Sequence, residues 1–135
     1  MNQKLLSVAV PCYNSEAYME NCIKTLLTGG ERVEIIVVND GSKDGTAAIA
    51  DKYAAEYPTI VKAVHQQNGG HGEAVNTGLS NAAGKFFKVV DSDDWVNEGA
   101  FKKILEALEK YQDDIDIMIS NYVYEKQGAK NKKVM

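Results

Sequence analysis

Five short runs rich in β-branched and apolar residues alternate with helical patterns along the chain, and that alternation leaves few folds open. The runs are LLSVAV (5–10), VEIIVV (33–38), IVKAV (60–64), KFFKVV (85–90) and IDIMIS (115–120), each with the length and composition of a strand. After the first, Tyr18, Cys22, Ile23, Leu26 and Leu27 share one helical face, and Gly29-Gly30 stops it. TAAIADKYAAEY consists largely of good helix formers and ends at Pro58. A third helix is predicted over 73–83, with Gly84 just past its end. In the fourth, Phe101, Ile104, Leu105 and Leu108 lie opposite Lys102, Lys103, Glu106 and Glu109. Such repetition implies an α/β fold, a mostly parallel sheet with helices on both faces. EIIVV and FFKVV are apolar enough for central strands.

The 135 residues suit one domain (1–135), with a basic and flexible tail expected over 126–135. A net charge of −4 excludes broad nucleic-acid affinity, because a phosphate backbone is bound by a basic surface. No apolar run approaches the ~20 residues of a membrane span, and no secretory cleavage signal follows MNQKLLSVAV. The tail lysines are compatible with peripheral membrane contact. Cys12 and Cys22, two thiols in a chain with a real core, read as reduced and intracellular. The spacing of Cys12, Cys22, His65 and His71 does not suit a zinc site.

In parallel α/β sheets ligands bind beyond the carboxyl ends of the strands. Those ends here are PCYN, NDGSKDG, QNGGHGE and DSDD, all polar. GHGEAV (70–75) imitates a dinucleotide fingerprint but ends in Val75 and follows the third strand; no Gly-Lys-Ser/Thr exists for a P-loop. In DGSKDGTAAIAD, Asp40, Ser42, Asp44, Gly45 and Asp51 have calcium-loop spacing, but a strand precedes the segment, so it reads as a turn into a helix with Asp44 as N-cap. VVDSDDW could supply the aspartyl nucleophile of a haloacid-dehalogenase-like phosphatase, although Trp95 and the fourth-strand position argue against it. Asp91 and Asp93, one residue apart at a strand end, suit a hard divalent cation or substrate contact. Asp94 suits a helix cap.

Taken together in order, SVAVPCYNSEAYMENCIKTLL, EIIVVNDGSKDGT and QQNGGHGEAVNTGLSNAAGKFFKVVDSDDWV resemble the family 2 glycosyltransferases of GT-A fold. The resemblance implies a Rossmann-like, nucleotide-diphospho-sugar-binding domain, and a chain carrying the donor-binding half of a larger transferase. It implies that Pro11, Tyr13 and Asn14 lie at the base, with Tyr13 stacking on it, and that Asp40 accepts the uracil N3–H. Asn68, Gly70 and Gly72 would line the diphosphate. Asp91 and Ser92 would meet the ribose, and Asp93, with Asp91, would hold Mn²⁺ or Mg²⁺. The implied reaction is inverting transfer from a UDP-sugar to a glycan or lipid-linked acceptor, in the cytoplasm or at the inner membrane face. The chain departs from the family at Val75, where many relatives carry arginine; His71 is either a replacement contact or an exposed loop histidine. No general base is identified, and Asp113, Asp114 and Asp116 read as loop and cap residues. The alternative is a nucleotide-diphosphate-binding module without turnover.

Overall fold

The computed structural model describes residues 4–110 and 124–126. The expected strand at 115–120, the aspartates at 113, 114 and 116, and the tail beyond Lys126 lie outside the described residues. The elements run β1 (Leu6–Cys12), α1 (Met19–Leu27), β2 (Val33–Asp40), α2 (Thr46–Glu56), β3 (Val61–Gln66), α3 (His71–Ser80), β4 (Phe86–Val89), β5 (Asp94–Val96), α4 (Glu98–Lys110) and β6 (Tyr124–Lys126). The first four strands form a parallel sheet in the order β3-β2-β1-β4. β5 and β6 form a separate antiparallel pair, so Lys126 belongs to a strand rather than to the tail.

The strand order explains where the helices lie. Two successive crossovers step outward from β1 to β3, and the third returns across the sheet to β4. A crossover of constant hand that reverses direction must change face. Accordingly α1 and α2 share a core with Leu6, Val8, Val10, Ile35 and Val37, into which α4 also sends Phe101, Leu105 and Leu108. α3 covers the opposite face, where Ala74 packs on Ile36 and Val38. Gly78 lets α3 sit close to β1, since a Cβ there would lie 2.6 Å from the Ala9 methyl.

Four expectations need correction. FFKVV is not central: among the described residues β4 pairs only with β1, and Phe86, Phe87 and Val89 are half-buried. Gly84 does not terminate α3, which ends at Asn81, whose side chain donates to the Thr77 carbonyl (2.9 Å). Glycine is needed at 84 because a Cβ would meet Ser7 Oγ at 2.7 Å. Asp94 does not cap α4; Asn97 does, accepting the Ala100 N–H at 2.9 Å. Asp44 lies one residue before the α2 N-cap, Gly45, yet its Oδ1 still accepts the Thr46 N–H at 2.9 Å.

At the far end of the sheet from the polar loops, Glu34 is buried in β2. It accepts bonds from Ser7 Oγ (2.6 Å), the Ala83 N–H (2.9 Å) and Lys62 Nζ (2.8 Å). Ser7 Oγ in turn accepts the Gly84 N–H at 2.8 Å. This network ties the turn after α3 to the sheet and so fixes the entry of β4. Burial works to raise the Glu34 pKa, but the bonds from Lys62, Ser7 and Ala83 outweigh it and hold the carboxyl below its ordinary 4.5.

Glu34→Ala should lower the unfolding free energy at pH 7 by about 1–3 kcal/mol, the cost of leaving buried donors without an acceptor. Because the folded pKa is the lower one, the ionised group's contribution is full above the unfolded value and is lost as pH falls through the folded value. Urea unfolding of wild type and variant should therefore differ at pH 7 and converge in acid. Equal stability at pH 7 would show that the network contributes nothing.

Candidate functional site

Strand order reverses between β1 and β4, and the loops that leave the carboxyl ends of the strands there enclose a cleft of about 430 Å³. That volume suits a small organic ligand. Pro11, Tyr13, Asp40, Asn68, Gly70, Asp91, Ser92 and Asp93 all line it. The polar ends of all four strands thus meet, as the sheet-end rule requires.

The loops after β1 and β2 are laced together by reciprocal bonds. Asn14 N–H donates to Ser42 Oγ (2.9 Å), and Lys43 N–H donates to Asn14 Oδ1 (2.8 Å). Glu16 N–H donates to Asp44 Oδ2 (3.2 Å), and Gly45 N–H returns to Glu16 Oε1 (2.9 Å). Asn14 has a φ of +49°, a left-handed conformation that asparagine tolerates. The Asn14 side chain therefore braces the two loops and does not line the cleft. Ser15 ties in the fourth loop, with its Oγ 2.8 Å from Ser92 Oγ while its N–H donates to Thr46 Oγ1.

Asp40 ends β2 as a buried carboxylate. Its Oδ1 accepts Gln66 Nε2 (2.9 Å) and the Gly69 N–H (2.8 Å), and its Oδ2 accepts the Gly70 N–H (3.0 Å). Burial alone would raise its pKa, but these bonds prevail and hold the carboxyl below the usual aspartate range. Asn68 Nδ2 donates to the Asp40 carbonyl at 3.0 Å, so part of its hydrogen-bonding capacity is structural. Gly41 permits the approach: its φ is +72°, and a Cβ there would lie 2.6 Å from the Asn68 nitrogen. Gly72 lies in the first turn of α3 and does not line the cleft.

The acidic cluster divides into two parts. Asp91 and Asp93 are half-buried and face the cleft, whereas Asp94 is buried and opens β5, its N–H donating to the Asp91 carbonyl at 2.9 Å. One carboxylate oxygen from each of the three lies within 4.8 Å of the others. His71, at the start of α3, places Nε2 3.1 Å from Asp91 Oδ1. It is exposed to solvent yet lines the cleft. Cys12, Ser15, Tyr18 and Ala74 also line the cleft but were not singled out as site residues. For Ser15 the signal was present, a small polar residue directly after PCYN.

A twisted parallel sheet, helices on both faces and a polar cleft at the switch point define a Rossmann-like α/β domain of GT-A type. Residues 7–134 match the family described as Glycosyl transferase family 2, and the chain belongs to that family. It is 42% identical over 112 residues to the uncharacterized glycosyltransferase EpsJ of Bacillus subtilis (strain 168), covering 82% of this chain and 32% of EpsJ. It is 36% identical over 125 residues to the minor teichoic acid biosynthesis protein GgaB of the same organism, covering 87% of this chain and 14% of GgaB. The crystal structure of S. aureus TarS 1-349 in complex with UDP-GlcNAc superposes with a TM-score of 0.65 at 29% identity, over 87% of this chain and 38% of that one. The chain thus spans less than two-fifths of each of these proteins. Family membership displaces the phosphatase alternative. No helix among the described residues is long and apolar enough to cross a membrane.

Both thiols are buried and unbonded to each other. Burial pushes the Cys12 pKa up to about 12, and burial with nearby negative charge pushes Cys22 well above 9. The thiolate is the reactive form. Neither cysteine should therefore react with Ellman's reagent at pH 7.5 until denaturant is added. Prompt labelling of the native protein would contradict the packing of β1 and α1.

Proposed function

We propose that this chain forms the donor-binding part of a metal-dependent, inverting glycosyltransferase. Its donor is a nucleotide-diphosphate sugar, specifically a UDP-sugar, and its acceptor is a hydroxyl of a glycan or lipid-linked glycan. The observation that carries this reading is the convergence of Tyr13, Asp40, Asp91 and Asp93 from three different strand ends on one cleft. The likeness to a TarS structure holding UDP-GlcNAc supports the choice of ligand.

The roles are those the family resemblance implies, and local geometry supports them. Tyr13 is 50% exposed at the cleft, an aromatic face free for a base to stack on. Pro11 forms a rigid wall beside it, and Asp40 offers an acceptor to a ring N–H. Asn68 and Gly70 bring the start of α3 toward the diphosphate, with Gly72 in its first turn, where backbone N–H groups favour anions. Ser92 and Asp91 face the ribose.

The donor set also suits a divalent cation. Asp91 and Asp93 offer hard carboxylate oxygens to the open cleft, while the nearby Cys12 thiol stays protonated. Oxygen-only ligation suits Mg²⁺ or Mn²⁺. When bound, such an ion would neutralise charge on the leaving diphosphate as a Lewis acid.

Transfer further needs a general base for the acceptor hydroxyl. The carboxylates lining the cleft among the described residues are Asp40, Asp91 and Asp93, all engaged with the donor in this reading. The chain by itself is therefore expected to bind UDP and metal with little or no sugar transfer. The name of GgaB points to a teichoic-type or related polysaccharide acceptor. We place the reaction in the cytoplasm, at the inner membrane face.

The decisive measurement is calorimetric titration of UDP with and without Mn²⁺, and with Mn²⁺ against Asp93→Ala. Binding should require the ion and weaken at least tenfold in the variant. Equal affinity in all three conditions would remove Asp93 and the cation from the reading. Absence of UDP binding throughout would refute donor binding by this chain, and efficient transfer to a glycan acceptor would refute the need for a base from elsewhere.

A further inference from the structure

Gln66 and Thr77 have no place in the roles above, yet both bear on Asp40. Gln66 is the last residue of β3 and stands opposite Asp40 in the β2–β3 ladder. Its Oε1 accepts Thr77 Oγ1 from α3 at 2.5 Å, and its Nε2 donates to Asp40 Oδ1 at 2.9 Å. The acceptor-only carboxylate fixes which end of the amide faces it, and the threonine hydroxyl holds the other end by donating to Oε1. A flipped Gln66 would set its carbonyl oxygen against a carboxylate.

From this relay we infer that Gln66, held by Thr77, limits Asp40 to a single vacant acceptor and so selects uridine over guanosine diphosphates. The inference rests on the donor-binding reading of the cleft. A carboxylate offers about four lone-pair positions. Oδ1 spends two on Gln66 and Gly69, and Oδ2 spends one on Gly70. Among the bonds of the described residues, one position remains, on Oδ2.

Uracil presents one ring N–H between two carbonyls and needs one acceptor. Guanine presents its ring N–H beside an exocyclic amine, and a carboxylate satisfies that pair only with one acceptor on each oxygen. Here Oδ1 has none left, so guanine would carry an N–H into the cleft without a partner. A buried unsatisfied donor costs enough to weaken binding about tenfold or more. Cytosine and adenine meet a different obstacle, since each sets a ring-nitrogen lone pair next to its amine, where the carboxylate would be repelled. Gln66 therefore positions Asp40 and filters the base without being a catalytic residue.

The test is calorimetric titration of UDP and of GDP, each with Mn²⁺, against wild type, Gln66→Leu and Thr77→Val, with circular dichroism to establish folding. Wild type should favour UDP at least tenfold. Gln66→Leu frees Oδ1 and should bring the two nucleotides within about threefold, mainly through a gain in GDP affinity. Thr77→Val keeps the amide but removes the bond that tethers it, and should move the ratio the same way by a smaller factor; it decides the matter alone if Gln66→Leu does not fold. A simple loss of packing would weaken both nucleotides together and leave the ratio unchanged. Equal UDP and GDP affinity in wild type, or an unchanged ratio in the folded variants, would overturn the inference while leaving nucleotide binding intact. Binding of neither nucleotide to wild type would overturn the donor-binding reading and this inference with it.

Discussion

The bonds received by the Asp40 carboxylate are the constraint on which the rest of the site depends. A buried negative charge at a strand end is tolerable only if nearby donors replace the water it has lost. Gln66 and the backbone of Gly69 and Gly70 supply them. In doing so they draw the loop after β3 over the end of β2, which sets the start of α3 beside the cleft. The carboxylate thus shapes the loop before it meets any ligand. Gly41 and Asn68 belong to the same arrangement, because the approach that Gly41 allows is the one that lets Asn68 reach the Asp40 carbonyl.

The loops after β1 and β2 work differently. Their contacts are exposed, and each is modest, yet they come as reciprocal pairs: Asn14 with Ser42 and Lys43, Glu16 with Asp44 and Gly45. A reciprocal pair resists shear better than one bond, since displacement that shortens one contact lengthens the other. Tyr13 directly precedes the laced Asn14 and its own N–H donates to Ser15 Oγ at 3.1 Å, so its ring can stay half-exposed while its backbone is held. Such preorganisation lowers the ordering cost when a ligand binds.

How much of this the chain announces depends on the range of the interaction. The four main strands and four helices were legible because apolar periodicity is local, and the cleft was legible because a parallel sheet gathers its polar strand ends. Asp91 and Asp93 could be told from the background by their position after FFKVV. Register is not written locally, however. Glu34 and Lys88 sit inside apolar runs, and nothing in VEIIVV or FFKVV says that both are buried. Gln66 meets Asp40 across 26 residues, and Ser15 meets Ser92 across 77. Such pairs become visible only when the strands are aligned. The three-residue strands β5 and β6 are too short for any periodicity, and Asn97 was masked as a cap by the more conspicuous aspartates before it.

Charge in the cleft gives an independent reason to expect a cation. Asp40, Asp91 and Asp93 line it, and among the described residues the one lining side chain able to carry positive charge is His71, already against Asp91. A diphosphate entering this space meets two carboxylates at close range. Even at an effective dielectric of about 20, each pair of unit charges 4 Å apart repels by about 4 kcal/mol. A single histidine 65% exposed to solvent cannot offset that sum. The start of α3 contributes only about half a charge. On the proposed reading, a cation held by Asp91 and Asp93 would lie between the ligand and the acidic cleft and cancel that repulsion.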